Sequence, residues 1–114
     1  MQILGLRFCR ITDHADEVIA FFDKLGLPRL DGCDFGDSGA IFPAGSSWVE
    51  IWQQSEHMPA GFMLQILVDD ADAFAAQAKE QGLSPQGPMD EHGERIYFLQ
   101  PPGGFALSFQ SKLQ

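Results

Sequence analysis

The sequence predicts an α+β fold: two βαβββ modules whose strands form a curved sheet cup. The first observation behind this is a repeat. Asp13-His14-Ala15-Asp16, Ala20 and Gly26-Leu27 return as Asp69-Asp70-Ala71-Asp72, Ala76 and Gly82-Leu83, each pair 56 residues apart. Gly5 and Gly61 keep that spacing, as do Phe42 and Phe98. A fixed period means one supersecondary unit used twice. The second observation is a pair of segments with helical spacing, each stopped by a glycine. The third is alternation of apolar and polar residues in the segments between, the mark of half-buried strands. At 114 residues the chain is one domain by length, too short for two independent cores, so each module needs the other.

The elements follow in order. Ile3–Ile11 is a short apolar strand, and Thr12-Asp13 lead it into a helix cap. His14–Leu25 carries Val18, Ile19, Phe21, Phe22 and Leu25 on a helical stripe. Gly26 stops it and Pro28 follows, as expected just past a helix end. Arg29–Phe35, Ala40–Pro43 and Ser47–Gln53 are strands, with glycine-rich turns between them. That completes a first module over residues 1–54, and 55–61 connects it to a second over 62–114. There, Phe62–Val68 is a strand and Asp70–Gln81 a helix ended by Gly82. Ser84–Met89 is a poor, edge-type strand because Pro85, Gly87 and Pro88 interrupt it. Arg95–Gln100 and Phe105–Gln110 are strands around the turn Pro101-Pro102-Gly103-Gly104.

Composition narrows the function. A net charge of −9 and a pI near 4.4 argue against nucleic acid, because there are too few Lys and Arg to neutralise phosphates. Negative potential instead raises the local concentration of cations. No apolar run is long enough to span a membrane, and the start lacks the pattern of a secretory signal, so a cytoplasmic location is expected. Cys9 and Cys33 have no metal-like or redox spacing and read as small buried hydrophobes. His14, His57 and His92 fall on a helix start, the connector and a loop, and read as surface residues.

Alternation assigns the strand faces. Val49 and Ile51 face the helix, as do Leu64, Ile66 and Val68, and Phe105, Leu107 and Phe109. The opposite face collects Trp48, Glu50, Trp52, Met63, Gln65, Ser108 and Gln110. A concave face that is mostly apolar with a few placed polar groups suits a small molecule. Two indoles flanking a carboxylate favour an aromatic or cationic guest.

Three stretches carry a family resemblance: Ala20-Phe21-Phe22-Asp23-Lys24-Leu25-Gly26-Leu27, the run from Phe35-Gly36 to Val49-Glu50-Ile51, and Tyr97-Phe98-Leu99-Gln100-Pro101-Pro102-Gly103-Gly104. The sequence resembles the vicinal oxygen chelate superfamily, which includes glyoxalase I, extradiol dioxygenases, fosfomycin-resistance enzymes and bleomycin-resistance proteins. The resemblance implies a glyoxalase/bleomycin-resistance-like fold and a homodimer, sometimes with modules exchanged between chains. It also implies metal ligands from the first and fourth strands of each module. Glu50 matches one such position. The others fall on Ser108, on Met63, and on Arg7 or Leu6 depending on the register of the first strand. None of these is a plausible divalent-metal ligand, and one carboxylate does not hold a catalytic metal alone. The expectation is therefore no metal and no cofactor. The expected function is binding of a small aromatic or cationic molecule in the cup by Arg7, Trp48, Glu50, Trp52, Met63, Gln65 and Ser108. The alternative is a glyoxalase-, lyase- or dioxygenase-like enzyme in which Glu50 is the general base or a residual metal ligand. A structural or regulatory role without a ligand is the third.

Overall fold

The computed structural model describes residues 2–30 and 39–113. The chain divides into two compact units: Arg7–Phe62, and the residues through Leu6 together with those from Met63 onward.

The unit Arg7–Phe62 takes in strand β1 (Ile3–Thr12) from Arg7, helix α1 (Ala15–Leu25), β2 (Gly39–Ala44) and β3 (Ser47–Gln53). The strand order is β2-β3-β1, with β3 antiparallel to β2 and parallel to β1. Parallel neighbours require a crossover, and α1 lies within it. The helix is amphipathic because Ala15, Val18, Ile19 and Phe22 fall on one face, and these pack on Ala40, Phe42, Val49 and Ile51. Phe22 meets Phe42 edge to face, with centroids 5.3 Å apart. Gly26 ends α1 in the left-handed region at φ 96°, where a Cβ is disfavoured. The N-cap is His14, not Thr12 or Asp13 as the sequence suggested. β1 runs on through Thr12, whose Oγ1 instead accepts the His14 N–H at 3.2 Å. Of the expected strand Arg29–Phe35, Arg29 and Leu30 are not in strand conformation, although Leu30 N–H donates to the Ile41 carbonyl at 2.9 Å. The rest of that segment, Cys33 included, lies outside the described residues.

The other unit contains β4 (Gly61–Val68) from Met63, α2 (Ala71–Glu80), β5 (Gln86–Glu91), β6 (Glu94–Leu99) and β7 (Ala106–Lys112), in the strand order β4-β7-β6-β5. β4 and β7 are parallel and the other pairs antiparallel. Asp70 caps α2, its Oδ1 accepting the Ala73 N–H at 3.1 Å. Ala71 and Ala75 bring the helix close to Val68, Tyr97 and Phe109, with Ile66, Phe74 and Leu99 around them. β5 begins at Gln86, later than expected, and all six of its residues are exposed, so it is an edge strand. β7 begins at Ala106, leaving Phe105 before the strand. Among the described residues no helix is long and apolar enough to cross a membrane. The fold is the expected α+β class, and α1 and α2 start at Ala15 and Ala71, 56 residues apart.

Candidate functional site

The sheet face opposite α1 carries the expected cluster of the first unit. In the β1–β3 ladder Arg7 stands opposite Trp48, Cys9 opposite Glu50 and Ile11 opposite Trp52. Residues opposite one another share a face, so Arg7, not Leu6, belongs with the two tryptophans. Val49 and Ile51 go to the other side, under α1.

Glu50 is the centre of this face. The Trp48 Nε1–H donates to Glu50 Oε2 at 2.7 Å, and the Trp52 Nε1–H donates to Glu50 Oε1 at 3.0 Å. Both are charge-assisted bonds in a half-buried setting. The Arg7 guanidinium carbon lies 4.0 Å from the Trp48 ring centroid. On the far side, Trp52 lies over Gly39: a Cβ at Gly39 would sit 2.4 Å from Trp52 Cε3. Cys9, buried beside Glu50, has its thiol pushed up to about 12, first by burial and then by the carboxylate's charge. It is held as an inert neutral thiol.

Met63, Gln65 and Ser108 occupy the corresponding face of the other unit. In the β4–β7 ladder Met63 stands opposite Ala106 and Gln65 opposite Ser108. Gln65 Nε2 lies 3.4 Å from the Met63 sulfur. Ser108 is 1% exposed and Gln110 2%. The Ser108 hydroxyl donates to Gln110 Oε1 at 2.9 Å, and Gln110 Nε2 reaches Glu94 Oε1 at 3.5 Å.

Neither face fits a metal. Glu50 offers one carboxylate whose two oxygens each already accept an indole N–H, and its ladder partners are Cys9, a protonated thiol, and the apolar Ile41. The other face presents a thioether, an amide and an enclosed hydroxyl. Zinc takes His, Cys thiolate and carboxylate, and the harder divalent ions take several oxygens. Among the described residues no three His, Cys, Asp or Glu side chains gather at a common point.

A second polar cluster, at the start of α2, had no signal in the sequence. The Tyr97 hydroxyl donates to Asp72 Oδ1 at 2.6 Å, and Arg95 Nη1 donates to Asp72 Oδ2 at 2.8 Å. Arg95 Nε also donates to Asp90 Oδ1 at 3.2 Å. The hydrogen bond from Tyr97, then that from Arg95, holds Asp72 below the usual carboxylate range. The same Asp72 bond, then burial, pushes the Tyr97 phenol up. Asp72 and Arg95 border a polar cleft of about 370 Å³. A second, more apolar cleft of about 850 Å³ is lined by Leu83, Phe98, Leu99, Phe105 and Leu107 near the Pro101-Pro102 turn.

No protein-family model and no curated protein sequence matches the chain. Solved structures do match it over nearly its whole length. A glyoxalase/bleomycin resistance protein/dioxygenase superfamily member from Vibrio splendidus is 16% identical, with 94% of this chain and 97% of that one covered at a TM-score of 0.67. Methylmalonyl-CoA epimerase from Mycobacterium tuberculosis is 16% identical, with 98% and 88% covered at a TM-score of 0.66. An NAD-dependent benzaldehyde dehydrogenase structure from Legionella pneumophila is 15% identical, with 95% and 99% covered at a TM-score of 0.67. At such identities the likeness establishes the fold. The expected glyoxalase/bleomycin-resistance-like fold, that of the vicinal oxygen chelate superfamily, is borne out.

Proposed function

We propose that the protein binds a small aromatic molecule, without a metal, on the face formed by Arg7, Trp48, Glu50 and Trp52. Met63 and Gln65, which belong to the other unit, are not part of this proposal, and neither is Ser108, which is 1% exposed with its hydroxyl bonded to Gln110. The observation that carries it is the pair of indole N–H bonds converging on Glu50. They fix two aromatic side chains about one negative charge before any guest arrives, and preorganisation lowers the cost of binding. Each carboxylate oxygen has a second lone pair, which accepts a hydroxyl, amide or amine from the guest. Two indoles flanking a carboxylate allowed an aromatic or a cationic guest; Arg7 on the Trp48 ring favours the aromatic one.

Tryptophan fluorescence reports directly on this face, since Trp48 and Trp52 are the chain's two tryptophans. Titration with phenol, benzamide and indole is expected to give saturable quenching by at least one of them. Glu50→Gln is expected to weaken a guest that donates to the carboxylate by about 1–3 kcal/mol. Unsaturable quenching by all three, unchanged in Glu50→Gln and Trp52→Leu, would refute binding here.

A second reading makes Glu50 a general base in a glyoxalase- or lyase-like reaction. It is favoured by a half-buried carboxylate on the face opposite α1 and by neighbours in fold that include epimerases, the latter being an argument from fold alone. Loss of turnover in Glu50→Gln with binding retained distinguishes it. We also propose a homodimer in the cytoplasm; light scattering on the purified chain is expected to give twice the monomer mass.

A further inference from the structure

Arg7 and Trp48 are ladder partners on β1 and β3, so their side chains leave the sheet side by side on one face. Both are half-buried. The indole is held by its 2.7 Å bond to Glu50, and that bond limits how the ring turns. The guanidinium lies over the ring at 4.0 Å, well inside the roughly 6 Å range of a cation–π contact. The place an organic cation would take on this indole is filled by the protein's own cation.

We infer that Arg7 is the specificity-determining residue of this face: it closes the Trp48 ring to ammonium guests and leaves neutral or anionic flat molecules as the class that binds. The inference rests on the binding reading above and deepens it. A guest ammonium that takes this face of the ring displaces the guanidinium from it, so the contact it gains is one the protein loses. It also meets a like charge at short range, where a half-buried setting strengthens repulsion relative to water. A flat neutral guest pays neither cost, because it can stack on the planar guanidinium where that lies on the ring. The net charge of −9 draws cations toward the protein as a whole, but selection is made at contact, where Arg7 opposes it.

The test uses phenyltrimethylammonium as the cationic probe and phenol as the neutral one, read by tryptophan fluorescence. Arg7→Met keeps an unbranched stem and removes the charge; Arg7→Lys keeps the charge. The cation is expected to bind Arg7→Met roughly tenfold more tightly than the wild type, the worth of one partly desolvated cation–π contact. Arg7→Lys is expected to behave as the wild type, and adding Trp48→Leu to Arg7→Met is expected to abolish the gain. Should Arg7→Met not fold, Arg7→Gln makes the same comparison. Equal affinity of wild type and uncharged variant for the cation overturns the inference, as does a gain that survives loss of Trp48. Phenol keeps the two readings apart. Failure of phenol, benzamide and indole alike to bind any of these proteins counts against the binding proposal, while the cation titrations still decide the role of Arg7.

Discussion

Replacing Gly39 with alanine tests the geometry of the candidate site at its tightest point. A Cβ at Gly39 falls 2.4 Å from Trp52 Cε3, 2.8 Å from Trp52 Cζ3 and 2.9 Å from the Ile51 carbonyl oxygen. Carbon atoms settle at about 3.5–4.0 Å, so the indole has to retreat by about 1 Å or more. The carbonyl belongs to β3, where Ile51 pairs with Ala40 and Arg10, and cannot yield as easily. The Trp52–Glu50 bond starts at 3.0 Å, and a shift of that size takes it past the limit of a useful hydrogen bond. Overpacking of this kind costs about 1–3 kcal/mol, which for a domain of this size lowers Tm by roughly 4–12 °C.

Thermal unfolding gives the cost, and the indole N–H signals in a proton–nitrogen correlation spectrum give the cause. The Trp52 signal is expected to move upfield as its carboxylate partner is lost, while the Trp48 signal shifts less. In a Trp52→Ala background most of the penalty of Gly39→Ala is expected to vanish, because the ring it strikes is gone. Such coupling between neighbours is what a double-mutant cycle measures. A Gly39→Ala protein that melts with the wild type and keeps both indole signals in place would show that Trp52 does not rest on Gly39.

Three further outcomes are expected. Elemental analysis after metal-supplemented expression should find no stoichiometric divalent metal; about one ion per subunit, lost on Glu50→Gln, would contradict the site described above. The Cys9 thiol, raised from 9.0 to about 12, should resist an aromatic disulfide reagent until the protein unfolds, read as the difference between wild type and Cys9→Ala. Because the folded state keeps the proton that the unfolded chain releases, Cys9 supports stability below pH 9 and withdraws that support between pH 9 and 12; an unchanged pH profile in Cys9→Ala would argue otherwise. Tyr97→Phe removes the 2.6 Å bond to Asp72 and should cost about 0.5–1.5 kcal/mol in chemical denaturation, with no effect on probe binding at Trp48 and Trp52.

The sequence was informative where one local period decides the outcome. Alternation in Trp48-Val49-Glu50-Ile51-Trp52 placed Ile51 under α1 at 1% exposure and left the indoles with Glu50 on the other face. The 56-residue spacing placed both helices, which start at Ala15 and Ala71, but not their caps: Asp70 caps α2 through its side chain and His14 does not cap α1 so. Alternation says which side a residue takes, but not where its side chain turns once there. That both indole nitrogens would reach one carboxylate depends on rotamers, and the rotamer of Trp52 depends on the missing side chain at Gly39, which pairs with it across β2 and β3. In the sequence Gly39 reads only as part of a glycine-rich turn, which carries no sign of such a role. The choice between Leu6 and Arg7 likewise waited on the β1–β3 register, since a one-residue slip exchanges the two faces. Tyr97, Asp72, Arg95 and Asp90 lay still further out of reach, because Asp72 and Tyr97 are 25 residues apart and meet only once α2 is packed on β6. What these cases share is a polar contact made between elements. The strand period fixes the face, the pairing register fixes the neighbours, and the chemistry of the site appears only after both are set.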